Sequence, residues 1–168
     1  MARTALILLA TLATCLGGCA GEPTLDEAID GLQASYDAKD FDAVVSGADA
    51  LVSRCEAEGA DESRAWKVER LRVESLASQG KGDDTKTHLE RLSGSFASKV
   101  DAKLYNKMGT LVEQANELVQ AIDVYDAGAK LFPAQATIFQ QRIEELKTRA
   151  MAAGDDAALE HLKSLGYL

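Results

Sequence analysis

The chain is poor in proline, cysteine, histidine and aromatic side chains. Two prolines in 168 residues, Pro23 and Pro133, leave long stretches free of the residue that breaks helices. Aromatics make up 5% of the sequence, while Ala, Leu, Glu, Lys and Gln are plentiful. That balance favours helices, because these side chains lose little rotamer freedom in them. Three cysteines and two histidines give little material for a metal site, and no metal or cofactor is expected. An excess of basic residues is missing too: 18 face 27 acidic ones, for a formal net charge of −9. Phosphate neutralisation needs a basic surface, so nucleic acid is not an expected partner. At 46% hydrophobic and 27% charged residues, the composition is that of a globular protein rather than a disordered one. The length fits one domain plus a short appendage.

The appendage is at the start. Arg3 is the only charged side chain before Glu22, and Ala5 to Leu16 is an unbroken run of Ala, Leu, Ile, Thr and one Cys. This run is shorter than the ~20 residues that cross a bilayer, and it fits the apolar part of a secretory signal. Leu16-Gly17-Gly18-Cys19 comes next. The arrangement resembles the lipobox of bacterial lipoproteins, in which small residues precede a cysteine. The resemblance implies that Cys19 is acylated and becomes the new N-terminus. Residues 1–18 would then be a signal peptide, 19–24 a lipidated tether and 25–168 the helical domain. Ala20, rather than Asp, resembles the pattern sorted to the outer membrane in Gram-negative lipoproteins. The expected location is that membrane, lipid-anchored and facing the periplasm. Processing leaves 150 of the 168 residues and a net charge of −10 in place of −9. Cys55 is then the sole free thiol.

The body reads as paired helices. Thr24-Leu25-Asp26-Glu27 has the form of a capping box, so a helix should begin at Leu25. Apolar residues then recur at helical spacing in eight segments, with turns inside the pairs expected near Lys39, Gly82, Asn116 and Gly154. The third segment is apolar on two sides, with Trp66, Val73 and Ala77 opposite Val68 and Leu71, as suits a helix inside a stack. Asp83 is the expected N-cap of the fourth. No segment alternates with period two for long. The expected fold is all-α, built from antiparallel helical hairpins stacked as a solenoid of about four hairpins.

The third pair carries the most specific pattern. Tyr105-x2-Met108-Gly109-x2-Val112, then Ala121-x3-Tyr125, then Pro133 resembles the tetratricopeptide repeat. Gly109 and Ala121 are expected to allow close approach of two helices, and Gly128 stands where an alanine is usual, a replacement expected to be harmless. The likeness is looser elsewhere: Glu69-Arg70 occupies the place of an apolar residue and glycine. In that family the inner helices line a groove that often binds peptides. Here the corresponding positions hold Lys103, Asn106, Lys107 and Thr110. Lys99, Lys103 and Lys107 recur at four-residue steps, and Arg64, Lys67 and Arg70 would extend the row on the third helix. These residues form an expected basic strip for an acidic segment or a C-terminal carboxylate.

No phosphate-binding glycine loop, nucleophile elbow or paired-cysteine motif is present. His88 and His161 are expected at the surface or rim, Cys55 in the core, and the acidic pairs at helix starts or on solvated faces. The expectation is a non-enzymatic scaffold or adaptor lipoprotein holding a protein or peptide partner near the membrane. The alternatives are an envelope hydrolase with an unrecognised site and a purely structural lipoprotein that self-associates.

Overall fold

Thr24 starts the first helix as its sequence demands. The computed structural model describes residues 22–168, and the leader, the lipobox and Cys19 lie outside the described residues. The Thr24 side chain accepts from the Glu27 N–H at 3.3 Å, and the Glu27 carboxylate accepts from the Thr24 N–H at 2.8 Å. Both halves of the capping box are formed. The described residues form eight α-helices and no strand: α1 (Leu25–Asp37), α2 (Phe41–Ala57), α3 (Glu62–Ser78), α4 (Gly82–Ser95), α5 (Ala102–Gln114), α6 (Leu118–Leu131), α7 (Ala136–Ala153) and α8 (Asp156–Ser164). Pro133 opens a short 3-10 turn directly after α6, where its missing N–H costs nothing.

The same turn joins the helices of each pair. A left-handed residue occupies each one: Lys39 (φ 61°), Gly80 (φ 73°), Asn116 (φ 68°) and Gly154 (φ 66°). The next residue's N–H reaches back across it. Asp40 donates to Ser35 at 2.9 Å, Lys81 to Leu76 at 3.0 Å, Glu117 to Val112 at 3.3 Å and Asp155 to Ala150 at 2.9 Å. This six-to-one bond satisfies a carbonyl the ending helix leaves unpaired. The second turn therefore centres on Gly80, while Gly82 already belongs to α4. Lys81 takes the N-cap position without a side-chain bond, and Asp83 falls in the first turn instead of capping it.

The hairpins stack in order. Each helix packs on its sequence neighbour; α1 also meets α3, and α3 meets α5, while α4 meets α6 and α6 meets α8. Odd and even helices thus form two layers, as hairpin repeats do. α3 is buried on two sides. Its Val68 and Leu71 join Ile29, Leu32, Val44, Ala48 and Cys55 in one core. Its Val73 and Ala77 join a larger core built from α4 to α8.

Close approach in the third hairpin rests on glycine. A Cβ on Gly109 would lie 2.4 Å from Cε1 of Tyr125, whose ring is fully buried. Gly128 is not a harmless replacement. A Cβ there would lie 2.6 Å from Cε1 of Phe139, so α7 can seat its aromatic only because Gly128 has no side chain.

Candidate functional site

α3 and α5 run side by side in the same direction. Near their starts Ser98 Oγ donates to Glu62 Oε1 at 3.5 Å, and further along Lys107 Nζ lies 2.6 Å from Glu74 Oε1. Ion pairs lace the whole layer of odd helices. Arg64 of α3 holds Asp26 of α1 at 2.7 Å, and Lys67 holds Asp30 at 3.0 Å. Arg149 of α7 pairs with Glu113 of α5. Tyr36 of α1 is pushed up to about 12 by burial and by the nearby Glu74 carboxylate.

The expected basic strip is divided by this lacing. Lys107 belongs to buried Glu74, so it is a structural cation. Thr110 Oγ1 donates to the Asn106 carbonyl at 2.9 Å and lies 3.1 Å from the hydroxyl of Tyr125. Asn106 is half-buried, and its Oδ1 is buried without a donor. Lys103 is exposed and forms no ion pair among the described residues. Lys99 is exposed in the turn before α5, so the four-residue row does not start on the helix. Arg64 and Lys67 are committed to α1, whereas Arg70 is exposed and unpaired among the described residues. Arg70 and Lys103 each stand one helical turn before the Glu74–Lys107 pair, roughly 5.4 Å along the axis. The strip thus reduces to these two cations across the α3–α5 seam.

Trp66 lies one turn before Arg70. It is half-buried, with its ring 5.5 Å from that of Phe96. Trp66 and Arg70 line a cavity of about 570 Å³ that opens between α1 and α3, with Ile29, Asp26 and Asp30 on its far side.

One of the two histidines departs from expectation, while His161 lies at the rim. His88 is buried at 7% exposure, with Nε2 2.9 Å from Oε2 of Glu69, itself only 1% exposed. Arg91 holds the other carboxylate oxygen at 2.6 Å. Burial alone pushes the Glu69 carboxyl up, but the His88 and Arg91 hydrogen bonds outweigh it and leave the group below its ordinary value. A polar cluster therefore fills the α3–α4 contact where the sequence pattern called for an apolar residue. His161 is half-buried against Asp123 at 2.8 Å. Cys55 is a buried free thiol, pushed up by burial. The acidic pairs cap or offset cations: Asp155 accepts from the Ala158 N–H, and Glu144 and Glu145 hold Lys147 and Arg142.

The molecule thus belongs to the class of all-α proteins made of stacked helical hairpins, with a charge-laced face of odd helices. No protein-family model, curated protein or solved structure matches the chain.

Proposed function

We propose that this is a bacterial lipoprotein, anchored through Cys19 in the outer membrane, whose tetratricopeptide-like body holds a protein or peptide partner in the periplasm. It works as a scaffold or adaptor, without catalysis. The leader motif supports the anchor. The observation that carries the binding role is the face of odd helices. Its four cross-helix ion pairs, Asp26–Arg64, Asp30–Lys67, Glu74–Lys107 and Glu113–Arg149, tie α1, α3, α5 and α7 into one continuous surface. A surface already ordered loses less conformational freedom when a partner docks, which favours affinity.

The test is in-cell photo-crosslinking from position 103, which is exposed beside the seam, with position 163 on α8 as the control. A protein adduct from position 103 and none from 163 is the expected result. Equal adducts from both, or adducts to further copies of this chain alone, would remove the adaptor role. The anchor has its own measurement. Cys19→Ala should release the protein from membranes, unlipidated and uncut before residue 19. Wild-type protein in the soluble periplasmic fraction with an unmodified N-terminus would refute the lipoprotein assignment.

A further inference from the structure

We infer that the cavity between α1 and α3 binds a neutral, β-linked pyranose oligosaccharide, with the indole of Trp66 as its stacking wall and the charged groups around it as a hydrogen-bonding frame. This goes beyond the adaptor role and does not depend on it.

The lining favours an uncharged ligand. Three carboxylates, Asp26, Asp30 and Asp61, meet three cations, Arg64, Lys67 and Arg70, around a volume of about 570 Å³, so their formal charges cancel. What remains is hydrogen-bonding capacity. Arg64 is gripped by both Asp26 and Asp61, at 2.7 and 2.9 Å, and Lys67 by Asp30 at 3.0 Å. These pairs order the side chains without exhausting them, because a carboxylate offers about four lone-pair sites and an ammonium about three protons. All three carboxylates stay more than half exposed, and Asp30 engages Lys67 through one oxygen only. Arg70 is exposed and forms no ion pair among the described residues, so its N–H donors face the cavity uncommitted. An ordered set of donors and acceptors with no net charge suits hydroxyl groups, each of which both donates and accepts. Its ion pairs already restrict it, so it loses less freedom when a ligand enters.

Trp66 supplies the apolar half of the recognition. Its half-buried ring leans on Phe96 at 5.5 Å and lines the cavity together with Ile29. A β-linked pyranose with equatorial hydroxyls presents C–H groups on its faces and hydroxyls at its edge. One sugar ring can therefore meet the indole and the polar frame at once. The site extends past that ring. A second cavity, of about 490 Å³ at the α2–α3 turn, shares Asp26, Asp61 and Arg64 with the first. Two adjoining cavities over one ion-pair cluster give room for successive sugar units, which points to an oligomer rather than a single sugar.

The probes are triacetylchitotriose and cellotriose, titrated into the full lipidated protein in micelles of a detergent without a sugar headgroup. Trp66 is the only tryptophan of the chain, so its emission reads the site directly. At least one trisaccharide should shift that emission saturably. Affinity should change by less than about twofold as salt rises, because the ligand carries no charge to screen. By titration calorimetry, Trp66→Ala should abolish binding and Trp66→Phe should restore part of it. Arg70→Gln should weaken binding by about threefold or more through lost donors. Lys103→Gln removes the same charge outside the cavity and should leave binding within about twofold. Circular dichroism checks the fold of each variant. The Arg70 and Lys103 pair, both exposed, keeps the test intact should Trp66→Ala fail to fold. Binding of neither trisaccharide, binding that leaves Trp66 silent, or equal effects of Arg70→Gln and Lys103→Gln overturns the proposal. So does binding of deacetylated, cationic chitotriose alone, which would report attraction to a negative chain and not to a sugar. The adaptor role is judged on a separate result. A protein adduct from position 103 without trisaccharide binding leaves the adaptor face standing and removes the glycan site, and trisaccharide binding without an adduct does the reverse.

Discussion

Glu69 is a carboxylate placed where packing would ordinarily want a hydrocarbon. Such a group is tolerable only with partners for its charge: Arg91 donates to one oxygen, and His88 Nε2 lies 2.9 Å from the other. Because folding lowers its pKa, the folded state favours the ionised form more than the unfolded chain does. The stabilisation is therefore complete above the unfolded value of about 4.3 and is lost as pH falls through the lower folded value. In a thermal melt series, wild type should lose stability on acidification below about pH 4.3 more steeply than Glu69→Gln. Parallel curves would mean that Glu69 titrates as it does unfolded. Glu69→Gln should itself cost about 1–3 kcal/mol, since it weakens the contacts to both partners. Lys107 obeys the same logic from the other side. Lys107→Glu would set a second carboxylate against buried Glu74, so we expect a lower melting temperature and not only weaker binding. Neither pairing was legible in the sequence. Glu69 meets His88 across a hairpin and Glu74 meets Lys107 across two repeats, and helical periodicity orders contacts along one helix only. The lysines at four-residue steps run from the turn before α5 onto that helix, but their spacing could not tell which cations had been claimed.

Hairpins, by contrast, were largely legible. The capping box at Thr24, the glycine and asparagine turns, the two-sided third helix and the stop at Pro133 are local signals, and each acts over a few residues. The backbone shows more regularity than the sequence does, because one six-to-one turn accepts Lys, Gly, Asn or Gly at its left-handed position. Those side chains are not equivalent there. A left-handed conformation costs a non-glycine residue about 1–2 kcal/mol, less for asparagine. Lys39→Gly should thus raise stability by roughly 0.5–1 kcal/mol after the entropy of a freer unfolded chain is subtracted. Asn116→Gly should change little. A denaturant midpoint lowered by Lys39→Gly would contradict this. The helix–helix glycines respond in the opposite sense. Gly109→Ala and Gly128→Ala gain up to about 1 kcal/mol of helix propensity, but each new methyl meets a buried ring. Overpacking costs about 1–3 kcal/mol, so both should lower the midpoint. Gly94→Ala, with open space around its Cβ and the same propensity gain, should raise it. What hid the role of Gly128 in the sequence is that its neighbour, Phe139, comes from the next hairpin.

At the scale of the molecule, α3 is the joint. One side of it closes the smaller core with α1 and α2, and the other closes the larger core with α4 to α8. On the even-helix side, α4 packs on α6 and α6 on α8, but α2 and α4 make no comparable contact. The first hairpin therefore attaches to the rest through α3, and the free energy holding it there comes mainly from Val68 and Leu71 against Ile29, Leu32, Val44, Ala48 and Cys55. In a stack stabilised by nearest neighbours, a loss at one joint opens the end unit before the whole unfolds. Cys55 reports on that opening. It is 2% exposed and its thiol is pushed up by burial, so it should react with a maleimide only when the first hairpin comes away. Leu71→Ala and Leu146→Ala each remove a buried leucine, at about 2–5 kcal/mol, from the smaller and the larger core respectively. If the joint opens independently, Leu71→Ala should accelerate labelling of the Cys55 peptide, read by mass spectrometry, far more than Leu146→Ala does. Equal acceleration by the two would mean that both cores unfold as one cooperative unit and that α3 transmits strain between them without yielding.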